Sequence, residues 1–448
     1  MAAQYPLEAR KRTTRPAAGA VTGAVCMRCA KRYRGGPRGR EADPQDERRW
    51  IHSSAAYDLP CPRCGPEGVL DIEFDLDVAR RSINPRTLAS RPRDQWRYRE
   101  LLPLPAGARV APLHVGWTPI EDAPRLARWA GVRGLRLKDE GRNPTASFKD
   151  RASGVGVARA LAKRARVVAC ASTGNAASSL AGAAASVGLT SVIFVPEFAP
   201  EPKVAQLLVF GARVIRVAGS YDQTWELCQR ACDAYGWYNR NAAVNPSLVE
   251  GKKTCGLEIA EQLGAEVPDW VAVAVGDGCT IAGTWKGLQE MRALGFIRRL
   301  PRMLGVQAEG ARPLVDAFEQ RRDLEPGPAQ TLADSICVGH PRNWRKALRA
   351  VRESEGAFVA VPDEAILEAM REAGRRSGIF GEPAGVAGLA GLRKAVQEGI
   401  VSRRDTALAV MTGSGLKDVK SAMRAAGKPV TLRPNDAELA AYLKDQPV

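Results

Sequence analysis

Lys-Asp-Glu-Gly-Arg-Asn-Pro-Thr-Ala-Ser-Phe-Lys-Asp-Arg, residues 138–151, is the stretch that decides the fold of this chain. Its Asn-Pro-Thr segment predicts a turn, because proline fixes its own φ and biases the preceding residue toward extended geometry. A helix of small residues is predicted at 151–162, with Lys149 in its first turn. Unpaired N–H groups and the positive helix end disfavour an ammonium there, and a Schiff-base lysine needs a neutral amine. An exposed lysine without a role is the alternative.

Predicted strands and helices alternate along the chain. Apolar runs predict strands at 68–74, 166–172, 190–196, 213–217, 270–275, 303–307 and 406–411. Helical patterns lie at 91–102, 176–187, 204–210, 225–235 and 281–294. Buried strands that alternate with helices are typical of a parallel sheet. We therefore predict an α/β fold with a parallel sheet.

Three loops that contain glycine follow three of the predicted strands, at residues 173–179, 276–280 and 412–418. Ligands bind beyond the carboxyl ends of the strands in open α/β sheets. The first two loops also lead into helix N-termini, which bind anions. One such loop would be explained by an ordinary turn. Three of them, together with Lys149, predict a cofactor pocket.

Two pairs of cysteines, Cys26 with Cys29 and Cys61 with Cys64, have the C-x-x-C spacing. Two such knuckles predict a tetrahedral zinc site, which is structural because no coordination position stays open. The alternative is four reduced surface cysteines. Residues 35–49 between the knuckles are rich in glycine, proline and charge, so we expect a disordered insertion there.

The composition is that of a globular protein, since 45% of the 448 residues are hydrophobic and 26% are charged. No apolar run reaches the length of a membrane span. Residues 1–19 lack the apolar core of a secretory signal. We therefore expect a cytoplasmic protein without a membrane partner.

The formal net charge is +17. Such a charge is compatible with a nucleic-acid partner. No RNA-binding or DNA-binding motif accompanies it, however. An arginine-rich composition that also attracts anionic substrates is the interpretation we favour, and we do not expect a nucleic-acid partner.

A series of motifs follows in fixed order. They are Trp96-Arg-Tyr-Arg-Glu-Leu-Leu102, Gly116-Trp-Thr-Pro119, Asn143-Pro-Thr-Ala-Ser-Phe-Lys149-Asp-Arg151, Ser172-Thr-Gly-Asn175, Val306-Gln-Ala-Glu-Gly310, Asn343-Trp344, Gly381-Glu-Pro383 and Thr412-Gly-Ser-Gly-Leu-Lys-Asp418. With them the chain resembles, over nearly its whole length, the threonine synthase family of pyridoxal-phosphate (PLP) enzymes with the tryptophan-synthase-β fold.

The resemblance implies an α/β fold of two doubly wound parallel-sheet domains, PLP fold type II, with an N-terminal zinc ribbon at 22–75. A large cofactor-binding domain would comprise 76–145 and 245–448, and a small α/β domain 146–244. Enzymes of this kind are often dimers, so the resemblance is compatible with a homodimer.

The resemblance also implies roles for individual residues. Lys149 would be catalytic and would form the Schiff base with the cofactor. Asn175 would bind the cofactor O3′, and Thr412 would face the pyridine nitrogen. The substrate would contact Ser172, Thr173 and Lys252. The cofactor phosphate would lie in the loop of Gly276, Asp277, Gly278, Cys279 and Thr280.

Several departures from the family fall where a substrate phosphate would bind. Family members usually read Asn-Ser-x-Asn-Pro-x-Arg and then Glu-Gly-Gln-Lys-Thr. This chain has Ala242, Ala243 and Leu248 in place of the Asn, Ser and Arg, and Lys252 in place of the Gln. Asp277, where Asn is common, would also repel a phosphate, by several kcal/mol at about 4 Å.

We hypothesise from these departures that the substrate is smaller or less anionic than O-phosphohomoserine. The alternatives are that Lys252 and Lys253 suffice for phosphate binding, or that the motif alignment is shifted.

We expect a PLP-dependent carbon–oxygen lyase. Its default reaction converts O-phosphohomoserine and water to threonine and phosphate. The alternative is β-elimination or β-replacement on a serine, threonine or homoserine derivative. A nucleic-acid-binding or scaffold protein with a vestigial pocket is a third class, which we disfavour because Lys149, Asn175 and Thr412 are all present.

Overall fold

Three β-sheets organise the chain in the computed structural model. The structure describes residues 20–34, 58–172, 174–197, 201–241 and 244–445. The insertion expected at 35–49 lies outside the described residues. Within the part of the chain that the structure describes, no helix is long and apolar enough to cross a membrane.

The N-terminal sheet is an antiparallel ribbon of three strands in the order β2-β1-β3. Its strands are Val21–Cys26 (β1), Arg32–Arg34 (β2) and Leu70–Phe74 (β3). Cys26 ends β1 opposite Leu70, which begins β3. Both cysteine knuckles therefore lie at the same end of the ribbon.

The largest sheet has six strands in the order β12-β11-β10-β13-β5-β4. They are Ile120–Asp122 (β4), Gly134–Asp139 (β5), Trp270–Ala274 (β10), Arg302–Ala308 (β11), Ala357–Val361 (β12) and Thr406–Met411 (β13). Only β4 runs antiparallel to its neighbour; the other pairings are parallel. All five residues of β10 are buried, because helices cover both faces of the sheet.

A second parallel sheet has four strands in the order β8-β7-β6-β9. They are Val167–Ala171 (β6), Thr190–Pro196 (β7), Arg213–Val217 (β8) and Tyr238–Asn239 (β9). The two parallel sheets confirm the predicted α/β fold class. In such sheets the carboxyl ends of the strands form the ligand-binding edge.

Helices connect the strands. The described helices are Leu76–Arg80 (α1), Pro85–Ala89 (α2), Pro124–Ala130 (α3), Lys149–Ala162 (α4), Asn175–Ala185 (α5), Glu201–Val209 (α6), Tyr221–Tyr235 (α7), Ser247–Leu263 (α8), Cys279–Ala293 (α9), Pro313–Glu319 (α10), Trp344–Glu353 (α11), Asp363–Ser377 (α12), Pro383–Gln397 (α13), Val419–Ala426 (α14) and Asp436–Asp445 (α15).

One predicted helix has a different form in the structure. Residues 91–102 were expected to form an α-helix, but Gln95–Leu101 is a 3₁₀ helix with non-helical φ and ψ at Tyr98. Tyr98 is fully buried and its hydroxyl donates to Glu261 at 2.5 Å. This tertiary contact accompanies the break in the helical pattern, and propensity alone does not anticipate it.

The ribbon is fixed to the helices of the large sheet through Asp71 of β3. Its carboxylate accepts from Arg349 at 2.6 Å and from Lys286 at 3.1 Å, and Lys346 lies at 3.1 Å. Burial alone would raise the pKa of Asp71, but these three cations outweigh burial and hold it well below its usual value. The ribbon therefore has a defined position on the large sheet.

Arg151 joins three segments of the chain in a buried ion cluster. Its guanidinium donates two hydrogen bonds of 2.7 Å to Glu140, which follows β5, and two of 2.7 Å to Glu258 of α8. Lys138 donates to Glu258 at 2.9 Å. All four side chains are fully buried. Burial alone would raise the pKa of Glu258, but Arg151 and Lys138 lower it to about 2.

Replacing Arg151 with methionine should strongly destabilise the protein. Two buried carboxylates would lose their main partner, which typically costs about 3–5 kcal/mol. The midpoint of chemical denaturation measures the effect. Arg142→Met is the matched control, because the Arg142 side chain is largely exposed and its ion pair with Asp139 at 3.3 Å should contribute no more than about 1 kcal/mol. Equal midpoints for the two variants would contradict the role of the cluster.

Candidate active site and metal centre

A cavity of about 710 Å³ lies between the two parallel sheets, a size that suits a cofactor with a small substrate. The ends of β6 and β10 and the first residues of α4, α5 and α9 contribute to its wall. All the predicted cofactor and substrate residues that the structure describes line it: Lys149, Ser172, Asn175, Lys252, Gly276, Asp277, Gly278, Cys279, Thr280 and Thr412. Thr173 lies outside the described residues.

Lys149 is the first residue of α4, so the predicted helix begins two residues earlier than expected. The Phe148 N–H donates to the Thr412 carbonyl at 2.9 Å and fixes this turn to the end of β13. Burial, followed by the positive charges of Lys252 and Arg240, lowers the pKa of Lys149 from 10.5 to about 8. The ammonium form still predominates at pH 7, but the neutral, nucleophilic amine is far more populated than in an ordinary lysine.

The loop at 276–280 joins β10 to α9. Gly278 has φ +89°, and a Cβ there would lie 2.7 Å from the Ala347 Cβ, so only glycine fits. No side chain caps the start of α9, and the first N–H groups of a helix lack partners within it. These donors can bind an anion. The Asp277 carboxylate accepts the Arg342 N–H at 3.3 Å, so part of its charge is bound to the backbone.

Glu382 is a residue of the site that our sequence analysis did not select. It is buried at the start of α13 and accepts a hydrogen bond of 2.5 Å from the Asn175 amide. A Cβ at Gly413 would overlap the Glu382 carboxylate and lie 3.3 Å from the Asn175 amide nitrogen, so this contact requires glycine. The signal for Glu382 was its place in the Gly-Glu-Pro motif, where proline predicts a helix start.

Arg240 is a second residue that sequence analysis did not select. It follows β9, is buried and lines the cavity. Its Nε donates to Ser153 Oγ at 3.1 Å. An isolated arginine after a two-residue strand belongs to no motif, so the sequence carries no signal for it.

Lys252 lies on α8 and is also buried. Burial lowers its pKa, and the positive charge of Arg240 acts in the same direction, while Cys279 and Asp277 oppose both. Lys252 therefore interacts electrostatically both with Arg240 and with the 276–280 loop, and it brings positive charge to that loop.

Ser172 follows β6, where the chain turns into α5. Its Oγ accepts the Gly174 N–H at 3.1 Å. Helix α5 begins at Asn175 without a side-chain cap, so its first N–H groups are further donors for an anion.

The four ribbon cysteines come together as predicted. The Sγ atoms of Cys26, Cys29, Cys61 and Cys64 all lie within 4.8 Å of one another. Cys29 and Cys61 are 3.9 Å apart, which matches the spacing of about 3.8 Å between thiolates on one tetrahedral zinc ion. A Cβ at Gly68 would lie 2.5 Å from the Cys61 Cβ, so glycine is required beside the cluster. The cluster can hold a metal ion.

The match to known proteins is extensive. Residues 111–413 match the family described as pyridoxal-phosphate dependent enzyme. The chain belongs to this family. Its relatives include the threonine synthase of Methanocaldococcus jannaschii, 39% identical over 89% of this chain and 99% of that protein. Another is the threonine synthase of Mycobacterium leprae, 40% identical over 73% of this chain and 89% of that protein.

A solved structure supports the fold of this PLP-dependent enzyme. The processed form of threonine deaminase isoform 2 from Solanum lycopersicum matches it with a TM-score of 0.60, at 20% identity, over 69% of this chain and 88% of that chain. The resemblance to the threonine synthase family and the prediction of PLP fold type II are confirmed. The enzyme is a PLP-dependent lyase similar to threonine synthase.

The described residues of the enzyme fit its cofactor. The uncapped start of α9 suits a phosphate. The Lys149 amine, with its lowered pKa, suits an aldehyde carbon. Both line the same cavity, as the attachment of one small molecule requires.

The Lys149 amine of the cofactor-free enzyme should titrate near pH 8. Because burial and neighbouring cations lower its pKa to about 8, its labelling by acetic anhydride should rise tenfold per pH unit below 8 and level off above it. Competitive labelling quantified by mass spectrometry measures this, with the exposed Lys420 as internal reference. A midpoint near 10.5 for Lys149 would contradict the electrostatic environment described.

Proposed function

We propose that the enzyme converts O-phosphohomoserine and water to threonine and inorganic phosphate. One observation supports the proposal above others: the Lys149 amine, whose pKa is lowered, shares its cavity with uncapped helix starts and two further cations. Such a cavity suits a substrate with anionic groups. Relatives named threonine synthase, similar over most of the chain, support the same reaction.

We assign the cofactor to residues of this chain as follows. Lys149 would attach it, Asn175 would bind its O3′ and Thr412 would face its ring nitrogen. Its phosphate would bind the loop of Gly276, Asp277, Gly278, Cys279 and Thr280. When bound, PLP supplies an electron sink that stabilises negative charge on an attached amino acid.

The substrate would be oriented by its two ends. Ser172 and Thr173, with the start of α5, would bind the α-carboxylate. Lys252 would face the distal part of the substrate. Lys149 would remove the proton from Cα and move protons at Cβ. A pKa of about 8 suits this work, because acid–base catalysis is most efficient when the catalyst titrates near the working pH.

The cysteine cluster would hold a structural zinc ion at Cys26, Cys29, Cys61 and Cys64. The domain boundaries proposed for the chain are 22–75 for the ribbon, 76–145 with 245–448 for the large domain and 146–244 for the small domain. The strands of each sheet fall within these ranges, apart from Val21 at the start of β1. A cytoplasmic location and a homodimer stay predictions.

The holoenzyme should release threonine and inorganic phosphate in equal amounts from O-phosphohomoserine. Lys149→Met should lower kcat by roughly 10²- to 10⁴-fold or more, because it removes the acid–base group. Lys420→Met, on the exposed face of α14, is the control and should keep wild-type turnover. Release of ammonia and a 2-oxo acid from serine or threonine, without phosphate release from O-phosphohomoserine, would instead support the elimination reaction.

The purified protein should contain one zinc ion per chain. Cys61→Ser should lose it, because the site would keep only three thiolates, and the apparent melting temperature should fall. Metal analysis and thermal denaturation measure the two effects. Cys228→Ala, which lies outside the cluster, should keep its zinc. Full zinc content in Cys61→Ser would contradict the assignment.

A further inference from the structure

Positive charge is concentrated at the buried end of the cavity. Lys149, Arg240 and Lys252 all line it there, and Arg240 and Lys252 are 1% and 2% exposed. Among the described acidic residues that line the cavity, Asp277 accepts a backbone N–H and Asp334 is exposed. Cations buried close together are costly unless an anion accompanies them. The cavity is therefore suited to more negative charge than its own acidic side chains provide.

Arg240 is held in a fixed orientation at this end. Its backbone N–H donates to the Ala169 carbonyl at 2.9 Å, which anchors it beside β6. Its Nε donates to Ser153 Oγ at 3.1 Å, and the Ser153 and Ser179 hydroxyls lie 2.6 Å apart. Ser153 is one helical turn after Lys149 on α4. The guanidinium is thus placed within the same pocket as the reactive amine.

The position of Arg240 can be compared with that of Leu248, which stands where the family motif has an arginine. Leu248 is fully buried, and its Cδ2 lies 2.8 Å from the position of a Cβ on Gly156. The Arg240 Cγ lies 3.9 Å from the same position. Both side chains therefore pack near Gly156 of α4, so the aliphatic stem of Arg240 lies in the neighbourhood of Leu248.

We propose that Arg240, together with Lys252, binds the distal phosphate ester of the amino-acid substrate. The arginine that the family motif carries at position 248 is replaced by one that reaches the pocket from the end of β9. A guanidinium presents a planar pair of donors that matches two phosphate oxygens. The proposal rests on the proposed function and names the residues that make a phosphorylated substrate acceptable in spite of Ala242, Ala243 and Leu248.

The cofactor phosphate is the competing anion for these cations. The contacts of Arg240 described above are with Ser153, Ala169 and the surroundings of Gly156, on α4 and β6. The 276–280 loop instead lies at the end of β10, on the other sheet. These contacts place Arg240 beside α4 and β6 and favour the substrate as its ligand, and the experiment distinguishes the two anions.

Arg240→Met keeps the aliphatic stem and removes the charge. In the holoenzyme it should raise both the KM for O-phosphohomoserine and the competitive Ki of inorganic phosphate on the order of 10- to 100-fold, as expected for lost charge-assisted hydrogen bonds. In a titration of the cofactor-free variant, the dissociation constant of PLP should rise much less than the phosphate Ki, because the loss of Arg240 removes only one of the influences that lower the pKa of Lys149. Arg213→Met, an exposed arginine on β8, is the matched control and should change none of these values.

Two outcomes would overturn the proposal. One is an unchanged KM and Ki in Arg240→Met; the other is a loss of PLP affinity as large as the loss of phosphate affinity, which would assign Arg240 to the cofactor. If Arg240→Met does not fold, the phosphate Ki of Ser153→Ala is measured instead. By releasing the Arg240 Nε it should raise the phosphate Ki roughly 3- to 10-fold, and an unchanged Ki would overturn the proposal.

The result also separates this proposal from the proposed function. If the wild-type holoenzyme releases no phosphate from O-phosphohomoserine, the proposed reaction is wrong. Calorimetry that measures the binding of inorganic phosphate to the holoenzyme then tests the Arg240 subsite independently of the reaction. Binding to wild type that weakens at least 10-fold in Arg240→Met supports it, and no binding to wild type overturns it.

Discussion

The buried guanidinium of Arg151 is the contact on which the arrangement of the site depends. It makes paired hydrogen bonds to Glu140 and to Glu258, and so connects the end of β5, the start of α4 and the middle of α8. Buried ion pairs of this kind add little net stability but are very costly to break. The three segments therefore have one favourable arrangement. Lys149 is two residues from Arg151, so that arrangement also fixes the reactive amine.

The positive charge at the buried end of the cavity acts on the amine and on ligands together. Lys252 and Arg240 favour the neutral form of Lys149, while Glu382 favours its charged form. The same two cations attract anions into the pocket. The pKa of the amine is thus coupled to whatever negative charge the pocket binds, because a bound anion would offset the two cations and favour the ammonium form.

The strands and helices that could be predicted from the sequence are those whose apolar pattern lies within the element itself. The apolar run at 406–411 became strand β13 with the expected bounds. Strand β5 was not predicted, since charged residues interrupt its apolar pattern and only its neighbours in the sheet define it. The predicted cofactor and substrate residues line one cavity where the structure describes them. Arg240 and Glu382 were missed because their place depends on contacts with Ser153 and Asn175, which are far away in the sequence.

The order of strands in the large sheet has a consequence for the growing polypeptide. Strand β13 lies between β10 and β5, yet it is the last strand of this sheet to leave the ribosome. Until it arrives, β10 and β5 each have an edge with unpaired N–H and C=O groups, which are prone to wrong pairing. The pocket around Lys149 is also incomplete without Thr412 and Gly413, because their backbone pairs with that of Phe148 and Ser147. A nascent chain that stops short of these residues has no finished pocket, so the cofactor can be captured only after Thr412 and Gly413 have been added.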